Sequence, residues 1–144
     1  DEKNIVKVLG HVTDNISGLV ERKGIEIEEN YPEKISKVKG DYSLNTLFTQ
    51  LLVTRIQLGE CNKIRINASE REEDIFLSIE DDGKRLPEDI ENIFSGELYT
   101  GETTGVGGVR YYMLREIARH NNAEINVKDS EMGGASFDVH LQKA

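Results

Sequence analysis

The sequence contains one cysteine, Cys61, among its 144 residues. A single cysteine excludes an intrachain disulfide and is typical of a reducing compartment, so we expect a cytoplasmic location. The sequence shows no signal peptide, and no apolar run reaches the roughly 20 residues that cross a bilayer. We therefore expect no direct contact between this domain and a membrane.

Positive charge is also scarce, with 18 Lys and Arg against 27 Asp and Glu, a net charge of −9 and an isoelectric point near 4.9. Nucleic-acid binding requires many basic groups on one face to neutralise phosphates. The excess of acidic over basic residues excludes nucleic acid as the main partner.

Metal and nucleophile motifs are missing as well. The three histidines, His11, His120 and His140, lie far apart without metal-ligand spacing, and Cys61 has no histidine nearby to activate it. The chain has no Gly-Lys-Ser/Thr phosphate loop and no strand–GxGxxG–helix unit. Because these common nucleotide-binding and metal-binding motifs are absent, they do not indicate a function for this chain.

What is present is regular hydrophobic periodicity over nearly the whole chain. Helical spacing runs from Ile5 to Val20, between a capping Asn4 and a terminating Gly24, and a second leucine-rich helix follows Asp41 or Ser43. A short helix begins at Pro87, a glycine-rich loop extends to Gly108, and a third long helix follows it. Alternating segments predict strands in "GIEIEENYP", "NKIRINASE", "DIFLSIEDD", "AEINVKDS" and "ASFDVHL".

This order of elements predicts a single domain over residues 1–144. We expect an α/β (α+β) two-layer sandwich, with a mixed, mainly antiparallel sheet of about five strands covered on one face by about three helices. Because the chain begins at Asp1, we expect it to be a domain of a longer protein.

Three segments are candidates for one binding site. Gln50, Thr54 and Gln57 form a polar face opposite the leucine stripe of the second helix. Asp81 and Gly83 follow a buried strand, and the loop from Gly101 to Gly108 offers backbone amides suited to phosphate. Each has an ordinary alternative, a solvated helix face for the first and a simple turn for the others.

Taken in order, these segments resemble the ATP-binding catalytic domain of sensor histidine kinases, whose superfamily includes Hsp90-type chaperones, gyrase and mismatch-repair ATPases. The resemblance covers about Ile5 to Leu141 and implies the Bergerat fold. The stretch "GIEIEENYPEKISKVKGDYSLNTLFTQLLVTRI" resembles the first strand and the N-box helix, and "IEDDGKRLPEDIENIF" resembles the G1 and F boxes. The stretch "TGVGGVRYYMLREIARHNNAEINVKDSEMGGASFDVHL" resembles the G2 box, the helix after it and the closing hairpin.

The resemblance implies ATP with Mg²⁺ as cofactor. It gives Asp81 the role of accepting a hydrogen bond from the adenine amino group. It implies phosphoryl transfer to a histidine on a separate dimerisation domain, with a response regulator or another signalling protein as further partner. The other nucleotide-binding positions that it implies are Gln50, Thr54, Gln57, Gly83, Arg85, Gly105, Gly107 and Gly108.

The sequence departs from the family pattern at several of these positions. Gln50 and Thr54 replace two asparagines, so that Thr54 stands where the family holds Mg²⁺, and Gln57 replaces a phosphate-contacting lysine. Arg85 replaces a glycine beside the adenine, where its side chain would fill the space or reach a phosphate. Ala135 replaces a threonine, with Ser136 adjacent.

These departures leave three hypotheses. The chain is an ATP-dependent catalytic domain, a kinase-like scaffold that has lost ATP, or a relative with another superfamily activity such as a serine-kinase anti-sigma factor. His11 lacks the Glu and Pro that follow a phosphoacceptor histidine, so the chain alone is not a complete autokinase.

Overall fold

The computed structural model describes residues 1–96 and 105–144. Within these ranges the helices are α1 (Ile5–Asn15), α2 (Ser17–Lys23), α3 (Ser43–Gln57), α4 (Glu88–Phe94) and α5 (Gly105–His120). The strands are β1 (Glu2–Lys3), β2 (Glu26–Asn30), β3 (Val38–Lys39), β4 (Lys63–Glu70), β5 (Asp74–Asp81), β6 (Glu124–Asp129) and β7 (Ala135–Gln142). No described helix has the length and apolar character needed to cross a membrane.

The main sheet has the order β2-β4-β5-β7-β6 among the described residues. β2 pairs with β4 in parallel, and the other three pairings are antiparallel, which confirms the predicted mixed and mainly antiparallel sheet. β5 lies at the centre, so its last residue, Asp81, sits between two neighbouring strands. A separate antiparallel pair joins β1 to β3.

α1, α3, α4 and α5 each bury apolar residues in one core that they share with the sheet. β5 alternates strictly, burying Ile75, Leu77 and Ile79, and the apolar face packs against α3 and α5. Fully buried residues of α3 include Leu44, Leu47, Phe48, Leu51 and Leu52. The leucine stripe read from the sequence is therefore the centre of the core.

Two predicted boundaries are wrong. The first helix is interrupted at Ile16, so α1 and α2 are separate, although Gly24 ends α2 in the left-handed conformation as expected. α5 begins at Gly105, whereas the predicted loop extended to Gly108. Gly105, Gly107 and Gly108 therefore belong to the first helical turns, and the part of the predicted loop before Gly105 lies outside the described residues.

Candidate functional site

Asp81 ends the central strand β5 with its side chain directed into the protein, where only 2% of the residue is exposed. Its Oδ1 accepts a hydrogen bond from the Gly83 backbone N at 2.9 Å, which closes the turn after the strand. The Gly134 backbone N donates to the Asp81 carbonyl oxygen at 3.0 Å and ties this turn to the β6–β7 hairpin. A carboxylate held this deeply requires a compensating partner.

That partner is Arg55 from α3. Its Nε donates to Asp81 Oδ2 at 2.7 Å, and its Nη2 donates to Asp81 Oδ1 at 2.9 Å. The two parallel bonds form the bidentate geometry in which arginine binds a carboxylate most strongly. Arg55 is itself 2% exposed, so both members of the pair are removed from water.

Two further hydrogen bonds hold the guanidinium of Arg55. Nη2 donates to the Lys84 carbonyl oxygen, and Nη1 donates to the Tyr111 hydroxyl at 3.1 Å. Burial opposes the charge on the guanidinium, but the hydrogen bond and charge of Asp81, together with Tyr111, outweigh it. The net effect raises the pKa of Arg55 above its ordinary value. The guanidinium therefore stays charged and fixed.

Glycines enclose this pair so closely that a side chain at their positions would collide with it. A Cβ on Gly134 would lie 2.3 Å from Asp81 Oδ1, and a Cβ on Gly59 would lie 2.7 Å from Arg55 Cζ. Glycine at positions 59 and 134 therefore allows the backbone to approach the ion pair closely.

An aromatic cluster forms the inner wall of the pair. The Tyr111 and Phe137 rings are stacked, 6.2 Å apart and 8° from parallel, and Phe94 meets both edge-on. Arg55 Cζ lies 6.0 Å from the centre of the Phe137 ring. These contacts restrict the guanidinium plane in addition to its hydrogen bonds.

A cavity of about 340 Å³ lies beside the pair but does not reach Asp81. Arg55 forms part of its wall and separates it from the carboxylate. The other residues that line the cavity are Leu58, Lys84, Arg85, Leu86, Pro87, Ile90, Gly107 and Tyr111.

Arg85 does not fill the space next to Asp81, contrary to one of the two roles expected for it. Its side chain is 65% exposed and lies 3.8 Å from Asp129 on the rim. Lys84 pairs with Glu60 at 3.1 Å on the same rim. The arginine next to Asp81 is Arg55, which directly follows Thr54 on α3.

The polar face of α3 lies in a different place from Asp81. Gln50 and Thr54 line a second cavity, of about 290 Å³, between α3 and α5. Gln57 accepts a hydrogen bond from Arg110 Nη1 at 3.1 Å. The structure therefore does not bring Gln50, Thr54 and Gln57 together with Asp81 in one cavity.

Two further sequence positions have structural roles. Asp82 Oδ1 accepts from the backbone N of Asn62 and Lys63, at 2.8 and 2.9 Å, and so supports the loop before β4. Ser136 is paired with Glu80 across β5 and β7, on the sheet face opposite Asp81. The Ser136 hydroxyl donates a hydrogen bond to Asp138 Oδ1. Ser136 therefore does not take the place of the family threonine that Ala135 replaces.

The residues at these positions do not fit Mg²⁺-bound nucleotide. Magnesium takes oxygen ligands, mostly carboxylates, phosphates and water. Thr54 is 1% exposed, and Met113, Leu114 and the cation Arg110 line its cavity. Within residues 1–96 and 105–144 no group of three or more His, Cys, Asp or Glu side chains could hold a metal ion.

Arg55 is the functional residue that the sequence reading missed, although a signal was present. It is the only charged residue among the 15 of α3, and it follows Leu51 by one turn on the apolar stripe. An arginine on a buried stripe requires a buried anion. Asp81 was already expected at the end of a buried strand, and its carboxylate is that anion.

The comparisons with known proteins agree with this architecture. The family of histidine kinase-, DNA gyrase B- and HSP90-like ATPases matches residues 40–144. No curated protein matches the sequence significantly.

Solved structures share the fold at low sequence identity. The ATP-binding domain of PrrB from Mycobacterium tuberculosis superposes with a TM-score of 0.78 at 12% identity, covering 99% of this chain and 96% of that one. The catalytic domain of the histidine kinase ThkA gives a TM-score of 0.71 at 21% identity, and the match covers 99% of this chain and 95% of that chain. The structure of ThkA in complex with the response regulator TrrA gives a TM-score of 0.77 at 19% identity, and the match covers 100% of this chain and 42% of that chain. The chain belongs to the family of histidine kinase-, DNA gyrase B- and HSP90-like ATPases.

Proposed function

We propose that this chain is a histidine-kinase-like domain that acts as a protein-binding module in two-component signalling, with Arg55 occupying the place of the adenine amino group. The observation that carries the proposal is the buried bidentate Arg55–Asp81 pair. In the family, the carboxylate at the Asp81 position accepts a hydrogen bond from adenine. Here both of its oxygens already accept from a guanidinium.

The energetic cost of displacing Arg55 supports weak or absent nucleotide binding. Breaking a buried ion pair by removing one partner costs about 3–5 kcal/mol. Because each 1.4 kcal/mol changes affinity tenfold, a nucleotide that had to break the pair would lose about two to three and a half orders of magnitude. A site of micromolar affinity would weaken to between about 0.1 mM and a few millimolar.

Phosphate and metal contacts offer little compensation. Gln50, Thr54 and Gln57 supply neither the asparagine pair nor the lysine of the family pattern, and phosphoryl transfer depends on such positioning and charge. A protein-binding role needs none of these groups. The solved complex of ThkA with its response regulator TrrA supports signalling proteins as the class of partner.

The second candidate function is phosphoryl transfer from Mg²⁺·ATP to a histidine on a separate domain. The family match favours it, and so do Lys84 and Arg85 beside the cavity next to Arg55, since cations in that position suit a phosphate. It requires Arg55 to leave Asp81.

Calorimetric titration of the purified domain with Mg²⁺·ADP and with a non-hydrolysable ATP analogue separates the two functions. The binding-module proposal predicts no saturable heat at micromolar to low-millimolar nucleotide, in wild type and in Asp81→Asn alike. Saturable heat in wild type that disappears in Asp81→Asn would support the catalytic function instead.

A further inference from the structure

β6 forms one edge of the main sheet, because β7 is the only strand that pairs with it among the described residues. Just beyond this pairing, the Ser130 backbone N donates to the Gly134 carbonyl oxygen at 2.9 Å. Hydrogen-bonded pairs alternate with non-bonded pairs along an antiparallel ladder. Ile125 and Val127 lie an odd number of positions before Ser130, so their backbone N–H and C=O groups point away from β7.

The central residues of β6 carry none of the sequence features that prevent strand addition. Edge strands are commonly protected by proline, by a bulge or by charged side chains. The centre of β6, residues 125–127, is Ile-Asn-Val, and its register with β7 is continuous over all six residues. The opposite edge, β2, differs because three of its five residues are glutamates. The edge of β6 is therefore the better suited of the two to accept another strand.

A cavity of about 290 Å³ lies beside the beginning of β6, between this strand and the C-terminal parts of α4 and α5. Arg115 and Arg119 of α5 line it one helical turn apart, and Glu124 is the one carboxylate among the described residues of its wall. Like charges at this spacing on a helix repel each other, and an anion between them relieves the repulsion. In a chain of net charge −9, this local excess of positive charge favours an anionic ligand.

The two arginines differ in how they are held. Arg115 is 8% exposed, and its Cζ lies 6.0 Å from the centre of the Tyr112 ring. The Arg119 side chain is exposed, and no carboxylate of the described residues forms an ion pair with it. A carboxylate that enters from solvent therefore pairs with Arg119, in a field to which the charge of Arg115 adds.

We propose that the edge of β6 binds an extended segment of a partner protein, which adds a strand to the sheet and places an acidic side chain in this cavity. The side chains of an added strand alternate between the two faces of the sheet. Ile125 faces the core and lines the cavity, so a side chain beside it on the added strand is directed there.

The six residues of β6 span about 20 Å, which sets the length of the bound segment at about six residues. Backbone hydrogen bonds to Ile125 and Val127 supply affinity, and the arginines select Asp or Glu. The inference rests on the proposed function, because it gives the protein-binding module a partner of stated chemistry.

A displayed library of random linear peptides, selected on the folded domain without nucleotide, tests the inference. We expect the selected peptides to share an excess of Asp and Glu and alternating β-branched residues. When a selected peptide is bound, hydrogen exchange measured by nuclear magnetic resonance should slow about tenfold or more at the amides of Ile125 and Val127. The amide of Asn126, which points toward β7, should slow far less.

A charge exchange tests the role of the cavity. Arg119→Glu should weaken binding of an acidic peptide about tenfold or more, and lysine in place of the acidic residue of the peptide should restore affinity for this variant. Arg22→Glu, which reverses an exposed charge on α2, is the matched control and should bind the acidic peptide as wild type does. Thermal melting should show both variants folded.

Three results would overturn the inference: selected peptides without an acidic preference, equal binding of acidic peptides by wild type and Arg119→Glu, or unchanged exchange at Ile125 and Val127. So would a selection that yields no peptide above background. Because the selection contains no nucleotide, its failure is distinct from saturable heat in the calorimetric titration, which would instead overturn the proposed function.

Discussion

At the scale of single residues, the contact between Arg55 and Asp81 bears on whether the domain can bind nucleotide. Arg55 and Asp81 are separated by 26 positions in the sequence, yet they form a bidentate pair with both residues 2% exposed. A pair of this kind fixes the turn after β5 to the helix α3. It uses the same carboxylate oxygens that an adenine amino group would need.

Arg55→Ala should destabilise the domain strongly because it leaves the Asp81 carboxylate buried without a partner. We expect a loss of about 3–5 kcal/mol in the free energy of unfolding, measured by urea denaturation. Arg22→Ala, an exposed arginine on α2, should change it by no more than about 0.5 kcal/mol.

A double replacement gives the sharper form of this prediction. Arg55→Met combined with Asp81→Leu removes both charges together, so it should recover most of the stability lost in Arg55→Ala. If Arg55→Ala costs less than about 1 kcal/mol, the pair does not carry the energy that excludes nucleotide.

Thr54 is a second residue whose environment contradicts a metal-binding role. Its Oγ1 is buried and has no hydrogen-bond partner among the described residues. Thr54→Val replaces an unpaired buried hydroxyl with a methyl group, so it should leave the free energy of unfolding unchanged or raise it by up to about 1–2 kcal/mol.

The same denaturation experiment checks this prediction, with Thr49→Val on the same helix as the matched change. A loss of more than about 1 kcal/mol in Thr54→Val would mean that the hydroxyl makes a stabilising bond in solution. That result would return Thr54 to the list of functional candidates.

At the scale of secondary-structure elements, side-chain contacts of Glu70 hold two other segments of the chain to the main sheet. Glu70, the last residue of β4, accepts from Ser36 N at 2.9 Å and from Ser36 Oγ at 2.6 Å. It also pairs with Lys143 at 3.0 Å. These contacts join the β2–β3 connection and the end of the chain to the main sheet.

The same contacts predict a pH dependence of stability. The hydrogen bonds from Ser36, and then Lys143, lower the pKa of Glu70 from 4.5 to about 2. A depressed pKa in the folded state stabilises the protein above the pKa of the unfolded chain, and this contribution is lost as the pH falls through about 2. Glu70→Gln should therefore flatten the decline in stability below about pH 4.5.

Urea denaturation of wild type and Glu70→Gln at several acidic pH values measures this difference. Glu131→Gln, at an exposed turn carboxylate, is the control and should keep the slope of wild type. Equal slopes for wild type and Glu70→Gln would contradict the assignment of these bonds to the folded state.

How far the sequence predicts the structure depends on the element. The α3 stripe and the β6–β7 hairpin follow from local apolar periodicity, and the structure has both. β1 and β3 span two residues each, too few to produce a periodic pattern. The glycines at the start of α5 favour a loop locally, but packing of this helix against α3 outweighs that propensity.

At the scale of the whole molecule, the fold is shared with solved structures that have few residues in common with this chain. The fold matches PrrB and ThkA with TM-scores of 0.78 and 0.71 although only 12% and 21% of residues are identical. A fold maintained by an apolar core tolerates replacement of its site residues, because the site contributes little to that core. Fold and family could therefore be predicted from the sequence.

The state of the pocket could not be predicted in the same way. Asp81 was expected at the end of a strand and is the last residue of β5, but the distance between its carboxylate and Arg55 depends on how α3 packs against the sheet. Periodicity places a residue on a face of its own element and does not specify which side chain meets it from another. Which side chain pairs with a buried charge therefore depends on the tertiary structure.

The central claim is that Arg55 remains on Asp81 in the presence of nucleotide, and nuclear magnetic resonance of the Arg55 Nε–H group tests it most directly. We predict a slowly exchanging resonance, absent in Arg55→Lys, that does not shift when millimolar Mg²⁺·ADP is added. A saturable shift of that resonance with ADP, abolished in Asp81→Asn, would show that nucleotide displaces the arginine and would contradict the account.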